Sequence, residues 1–408
     1  MARADTRFTS HSGHLLTGTV VQPAGPIRAV ALFAHCFTCT RASRAAVRIT
    51  GELARLGIAT LRFDFTGLGS SEGDFASVGF PNDVDDLVAA AEHLAATVGA
   101  PQLLIGHSLG GAAVLVAASR IPSVRAVATI AAPSDASHVL DIIQGDLAQI
   151  EAQGSGEVSI DGRRFPLSAA FLQTAREADV LGAVKQLHCP LLIAHSPRDA
   201  VVGIDHARRL FEVARHPKTF ISLDDSDHLL QKDPDACYAA RMIACWADRY
   251  LEQAPATERS EPGLVRVVNN LDAFAVAIDA RRHHLLADEP HEAGGEDAGP
   301  TPYDLLLAAL GACTAMTLRL VARRESIPLT GVEVSLSHER NHARDCDHCE
   351  QDDARVQAIY RTLQLMGDMT AAQRERLLAV AEMCPVHRTL TGSLHIHDRA
   401  LPAIDQPS

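Results

Sequence analysis

Short apolar runs alternate with amphipathic stretches over residues 1–251. Arg28 to His35 and Ile58 to Phe65 read as buried strands, nearly continuous in aliphatic and aromatic residues. Ala42 to Leu56 and Asp83 to Thr97 carry apolar residues at helical spacing, with Asn82 placed as a cap for the second. Leu103 to Ile105 is another short strand, and Ala112 to Ser119 reads as the helix after it. Val124 to Ala132, Pro190 to His195 and Thr219 to Leu223 complete the strand set. Strands separated by helices predict an α/β class with a doubly wound, mostly parallel sheet. Residues 134–180 interrupt the alternation with a polar, partly helical insertion, predicted to lie over the strand ends as a small lid.

The pattern then breaks. Residues 252–264 have no periodicity, two prolines and several charges, which is the composition of a linker. Beyond it, residues 265–408 are expected to form a smaller α+β domain. Leu264 to Asp279 alternates like paired strands, and Pro302 to Glu325 is one long apolar helix. Thr301 is placed to cap that helix, with Pro302 at its first position. Val332 to His338 reads as a strand and Thr370 to Met383 as a second helix.

Composition narrows the partners. A chain of 408 residues exceeds one ordinary core, which agrees with two domains. The net charge of −13 argues against nucleic acid or an anionic membrane surface. No apolar run is expected to span a bilayer, and Met1 to Arg7 leads into no signal-peptide core. A cytoplasmic location is therefore expected, with the nine cysteines mostly free thiols.

The chemistry concentrates at Gly106-His107-Ser108-Leu109-Gly110, a Gly-x-Ser-x-Gly pentapeptide between a strand and a helix. So tight a turn requires small residues two before and two after the serine. A serine nucleophile needs a base and an orienting carboxylate. Asp199 follows the strand that ends at His195, with Asp205 as a local rival. His228 follows the next strand, within Asp224-Asp225-Ser226-Asp227-His228, whose acids read as solvated loop charges. Parallel strand ends open into a common crevice, so all three can converge.

With its order Ser108, Asp199, His228, the first domain resembles the α/β-hydrolase superfamily over nearly its whole length. Phe33-Ala34-His35-Cys36-Phe37-Thr38 resembles that family's His-Gly-x oxyanion loop, with Cys36 at the usual glycine. Arg62 to Ser71 resembles a second turn of the family, which supports the elbow. The resemblance implies an oxyanion hole from the N–H groups of Phe37 and Leu109. It implies hydrolysis through an acyl-enzyme, with a short-chain carboxylic ester as the expected small-molecule substrate and no cofactor.

Two distant cysteines mark a second candidate site. Cys313 lies inside the helix opened by Gly299 to Met316, and Cys384 sits in Met383-Cys384-Pro385-Val386-His387-Arg388. Residues 265–400 resemble the OsmC/Ohr family, which reduces organic hydroperoxides. By that resemblance Cys313 is the reactive thiol, Cys384 the resolving one, and a dimer through this domain is implied. The family glutamate after the helix-opening proline is Tyr303 here; Asp304, Glu289 and Glu296 are its possible substitutes. Arg281 and Arg282 are candidates for the activating arginine. Last, His338, His342, Cys346, His348 and Cys349 include a Cys-x-x-Cys. That spacing suits a metal, a second redox pair or a polar loop. The rival to ester hydrolysis makes peroxide reduction the main activity, and a further one leaves the second domain an inert scaffold.

Overall fold

The computed structural model describes residues 2–37, 39–75, 78–143, 145–160, 163–251, 263–269, 274–281, 283–342 and 355–399. It separates into two compact units, Met1–Gly299 and Pro300–Ser408. Residues 252–262 of the expected linker lie outside the described set.

The first unit is built on an eight-stranded sheet. Its strands are β1 (Ala2–Thr9), β2 (Leu15–Gln22), β3 (Ala29–Ala34), β4 (Ile58–Phe63), β5 (Leu103–His107), β6 (Ala126–Ile130), β9 (Leu191–His195) and β10 (Lys218–Ser222). Their order is β1-β2-β4-β3-β5-β6-β9-β10. β1 and β2 pair antiparallel at one edge, and the strands from β4 to β10 pair parallel. The doubly wound, mostly parallel sheet follows the alternation read from sequence.

Both faces are covered, and side chains alternate between two cores. Leu32 and Leu104 join one core, while Phe33, Leu103 and Ile105 join the other. Helices α1 (Arg44–Arg55) and α8 (Asp233–Ala247) cover the second through Ile49, Leu53, Ala240 and Ile243. Helices α2 (Phe80–Thr97), α3 (Leu109–Ala117), α6 (Val180–Gln186) and α7 (Ile204–Val213) cover the first through Leu87, Val114, Val184 and Leu210. Asn82 is not the cap of α2: the helix starts at Phe80 after an extended Gly79, with Pro81 in its first turn. Proline has no N–H to lose there, so the helix begins a turn earlier than the apolar spacing indicated.

The insertion between β6 and β9 contains a 3₁₀ turn (Ala136–Asp141), α4 (Leu147–Gln153), the hairpin β7 (Ser155–Ile160) with β8 (Arg163–Ser168), and α5 (Ala169–Glu177). It is packed rather than loose: Ile150, Val158, Leu167, Phe171 and Leu172 are all buried.

A three-stranded antiparallel sheet of β11 (Val265–Val268), β12 (Val276–Ala280) and β13 (His283–Ala287) falls within the first unit. The second unit holds α9 (Pro302–Arg324), the long hairpin β14 (Gly331–His342) with β15 (Arg355–Met366), α10 (Ala371–Ala381) and α11 (Pro385–Thr391). Thr301 caps α9 in a reciprocal box with Asp304. The expectation that no segment could span a bilayer needs correction. By length and composition α9 is apolar enough, with a mean hydropathy of 1.9 over its best window. Its small residues hide this when only the large apolar ones are followed. Met316 and Leu320 stand 71% and 68% exposed, so one face of α9 is left open among the described residues of its unit.

Candidate active site

β3 and β5 are neighbours in the sheet, yet their connections leave in opposite directions, to β4 on one side and β6 on the other. Such a switch point opens a crevice beyond the carboxyl ends of the strands. β5 delivers His107 to that crevice, and the chain turns at once into α3. The turn residue is Ser108, at φ 55° and ψ −127°. A non-glycine residue there is strained, and the surrounding packing must hold it. The packing is too close for side chains. A Cβ on Gly106 would lie 2.3 Å from the Gly110 carbonyl oxygen, and one on Gly110 would lie 2.3 Å from the His35 carbonyl oxygen.

The structure brings Ser108, His228 and Asp199 together. His228 Nε2 lies 3.0 Å from Ser108 Oγ, and His228 Nδ1 lies 2.8 Å from Asp199 Oδ2. Asp199 Oδ1 accepts the N–H groups of Val201 and Val202 at 2.8 and 2.9 Å. Burial opposes the charge on Asp199, but its bonds from His228, Val202 and Val201 prevail and hold its pKa below the usual carboxylate range. Asp205 is exposed and paired with Arg208, so it is not the carboxylate at His228. Asp227 caps its own turn by accepting the Leu229 N–H at 2.9 Å.

Two histidines that the sequence reading passed over support this line. His107 Nε2 donates to the His228 carbonyl at 2.7 Å, and His195 Nε2 donates to the Val202 carbonyl at 2.7 Å. The first fixes the backbone of His228, and the second the loop that feeds N–H groups to Asp199. Burial, aided by the positive potential of His228, pushes His107 down to about 3, so it is neutral. Their only trace in the sequence is position, each being the last residue of a parallel strand.

Leu109 opens α3, so its N–H has no acceptor within the helix. The Phe37 N–H has none among the described residues. The loop carrying Phe37 is tied down at Arg41, whose N–H donates to Asp64 Oδ1 at 2.6 Å and whose guanidinium pairs with Asp64 Oδ2. Asp64 Oδ2 also accepts the Ser70 N–H at 3.0 Å, which links the two turns singled out in sequence. Cys36 lacks a positive φ, so no glycine is required at its position. Cys36 and Cys39 are joined as a disulfide, which corrects the expectation of free thiols here. Two cysteines three apart in a turn bring their Cα atoms to 5.3 Å, within the reach of the bond.

An aromatic cluster closes the crevice from the insertion side. Phe171 of α5 stacks on Phe37 at 5.3 Å between centroids, and Phe75 lies 5.4 Å from Phe37. Through Phe171 the insertion packs against the loop after β3.

In the second unit, Cys313 is half-buried on α9 and Cys384 is buried at the start of α11. Thr314 Oγ1 lies 3.6 Å from Cys384 Sγ, which accepts the His387 N–H at 3.4 Å. Burial works against a Cys384 thiolate, yet bonds from Thr314, His387 and Cys313, with the charge of Arg361, bring its pKa below the usual thiol value. Arg361 of β15 donates to Thr314 Oγ1 at 3.2 Å and to the Ala381 carbonyl at 3.0 Å. This is a cation at the thiols that sequence missed. Arg281 lies in the first unit, as do Glu289 and Glu296. Arg282 lies outside the described residues. Asp304 is committed to capping α9, and the Tyr303 ring stacks on His338 at 4.3 Å. Of the proposed metal-spacing cluster, Cys346, His348 and Cys349 lie outside the described residues, and nothing about the His342 side chain is described.

Comparison with known proteins agrees with this division. A sequence model of the alpha/beta hydrolase family matches residues 31–240, and one of OsmC-like protein matches residues 294–397. The esterase domain of a Rhodothermus marinus protein is 41% identical, with TM-score 0.53, covering 62% of this chain and 100% of that one. The palmitoyl-protein thioesterase ABHD10, mitochondrial, of Rattus norvegicus is 26% identical over 219 residues, 51% of this chain and 70% of its own. The uncharacterized protein YfhR of Salmonella typhi is 27% identical over 225 residues, 54% of this chain and 73% of its own.

The neutrality of His107 has a measurable consequence. Its pKa is lower folded than unfolded, so its contribution to stability is full above about 6.5 and falls as the medium is acidified. Between pH 7 and pH 5 this group alone removes about 2 kcal/mol of folding stability. Urea midpoints for His107→Gln, which keeps a donor but not the titration, are expected to fall less over that interval than those of wild type. Parallel slopes would contradict a buried neutral His107.

Proposed function

The chain belongs to the alpha/beta hydrolase family, and from that premise we propose that its first domain is a serine hydrolase of short-chain carboxylic esters. One observation carries the reading: the hydrogen-bonded line from Asp199 through His228 to Ser108 at the carboxyl ends of the parallel strands. His228 Nε2 takes the Ser108 proton as Oγ attacks the acyl carbon. Asp199 holds the imidazole in the right tautomer and stabilises its charge. The N–H groups of Phe37 and Leu109 receive the negative oxygen, the latter at the positive end of α3. His228 then protonates the leaving alcohol and activates the water that frees the acid. A thioester carbonyl suits the same groups, so a butyryl thioester belongs beside p-nitrophenyl butyrate in any assay.

The short acyl chain is argued from Phe37, Phe75 and Phe171, which crowd one another beside Leu109 and the oxyanion loop. Removing one ring opens room that a longer chain fills.

A second reading, organic hydroperoxide reduction in the OsmC-like domain, is favoured by the thiolate-stabilising contacts at Cys384. A thiolate attacks a peroxide oxygen and releases the alcohol, and the second thiol condenses with the resulting sulfenic acid to give a disulfide and water. The uncovered face of α9, with Met316 and Leu320, supports a homodimer through this domain.

Initial rates on p-nitrophenyl acetate and butyrate test the first reading. Ser108→Ala is expected to abolish turnover, and Asp199→Asn to lower kcat by about 10⁴ through the wrong tautomer. Turnover surviving Ser108→Ala would remove the serine from the mechanism. Phe171→Ala is expected to raise kcat/KM for the octanoate ester relative to the butyrate by about tenfold, on the scale of a few methylenes. An unchanged ratio would put the acyl site elsewhere. Cumene hydroperoxide consumption, with dithiothreitol as reductant, is expected to fall to background in both Cys313→Ser and Cys384→Ser. No consumption by wild type would leave the domain a scaffold.

A further inference from the structure

The loop after β3 reads His35-Cys36-Phe37-Thr38-Cys39, and the structure closes Cys36 to Cys39. This Cys-x-x-Cys brackets the residue whose N–H is assigned to the oxyanion. The bond is not sealed in the core. It borders a cavity of its own, lined also by Ser43, Arg44, His107 and Leu229. His107 and Leu229 are the chain neighbours of Ser108 and His228, so the cavity lies against the backbone that carries nucleophile and base. Cys36 is 4% exposed, and Cys39 is more open.

We infer that Cys36 and Cys39 form a thiol–disulfide exchange site in the oxyanion loop, whose substrate is a dithiol and whose redox state sets hydrolase turnover. For the turnover effect, the inference rests on the reading of the first domain as a serine hydrolase. The reductant's thiolate attacks Cys39 Sγ, the more accessible sulfur. The Cys36–Cys39 bond breaks, and Cys36 leaves as a thiolate that takes up a proton. The second thiol of the reductant then attacks its own sulfur in the mixed disulfide. Cys39 is released as a thiol and the reductant departs as a cyclic disulfide, so two electrons and two protons have entered the protein. The site favours the leaving thiolate. The cavity lies at the start of the twelve-residue α1, whose cap residue Ser43 makes no side-chain cap bond, and Arg44 of its first turn lines it while pairing with Asp233 at 2.9 Å. Cations and helix N-termini lower thiol pKa values.

The link to turnover is mechanical. β3 ends at Ala34; beyond it the loop is held by the Cys39 N–H to Cys36 carbonyl bond at 3.1 Å, by the Phe37 ring against Phe171 and Phe75, and at Arg41 by Asp64. Between those anchors the disulfide is the covalent restraint on Phe37. Opening it frees the Phe37 N–H from the position the oxyanion requires, while Ser108, His228 and Asp199 stay in place. The loss should therefore fall on kcat and leave KM nearly unchanged.

The test uses the full chain carrying Cys313→Ser, Cys384→Ser, Cys346→Ser and Cys349→Ser, which removes the other two candidate pairs from the titration. Samples are equilibrated in mixtures of reduced and oxidised dithiothreitol. Alkylation and peptide mass report the state of Cys36 and Cys39, p-nitrophenyl butyrate reports kcat and KM, and amide hydrogen exchange reports the peptide containing Phe37. Both cysteines are expected to become alkylated together, with kcat falling at least about tenfold and KM moving less than about twofold, as for loss of one oxyanion donor. Cys39→Ser is expected to match the reduced protein and to ignore the dithiol ratio. An equal or higher kcat in the proven reduced state, or a pair that resists reduction while the fold is intact, overturns the inference. No ester turnover in either state would instead sink the hydrolase reading. The exchange data then decide for the site: faster exchange at Phe37 on reduction supports it, and equal exchange overturns it.

Discussion

The close approach of backbone at the elbow is the constraint on which the first unit depends. Gly106 and Gly110 have no room for a Cβ, because carbonyl oxygens lie where it would stand. That approach lets α3 start one residue after β5 ends, and it holds Ser108 at a positive φ. It also brings the β3 end against the start of α3, since the atoms that would strike a Gly110 Cβ belong to Ala34 and His35. Ser108 and the loop carrying Phe37 are therefore positioned by one packing event. The strain at Ser108 is tolerated because the central strands β3, β4, β5 and β6 beneath it are buried on both faces.

Around that point several ionisable groups are buried, and backbone groups hold three of them. Asp199 accepts two loop N–H groups, His107 donates to the carbonyl of the base, and His195 donates to the loop beside the acid. Histidines buried as neutral donors cost far less than buried charges, and they lock loops that would otherwise present unpaired carbonyls. A neutral His107 also places no positive charge beside the His228 ring.

What could be read from the sequence follows from range. The elbow, the strand ends and the carboxylate after β9 are local patterns, and parallel topology carries all strand ends to one crevice. Asp199 could be preferred over Asp205 because it comes sooner after its strand, before α7 begins. The capping of α9 by Thr301 is likewise local. Other features depend on partners remote in sequence. Arg361 reaches Thr314 only through the antiparallel register of β14 with β15, and β15 was not recognised as a strand. The β1–β2 hairpin was passed over because its polar face breaks the continuous apolar runs that mark the inner strands. His107 and His195 looked like ordinary strand-terminal residues until their acceptors were known.

Cys36 shows how a departure from a family pattern can be misread when only one residue is considered. At a glycine position, a side chain suggests crowding or a tilted loop. Here the backbone needs no positive φ, so that cost does not arise. The side chain is bonded to Cys39, which the spacing already permitted. A glycine leaves such a loop to be ordered by its hydrogen bonds alone, whereas a cross-link removes conformations from it without requiring more packing. With Asp64 gripping Arg41 beyond the cross-link and Phe37 packed on Phe171, the cross-link is the one covalent fastening of this loop, set there in place of glycine's freedom.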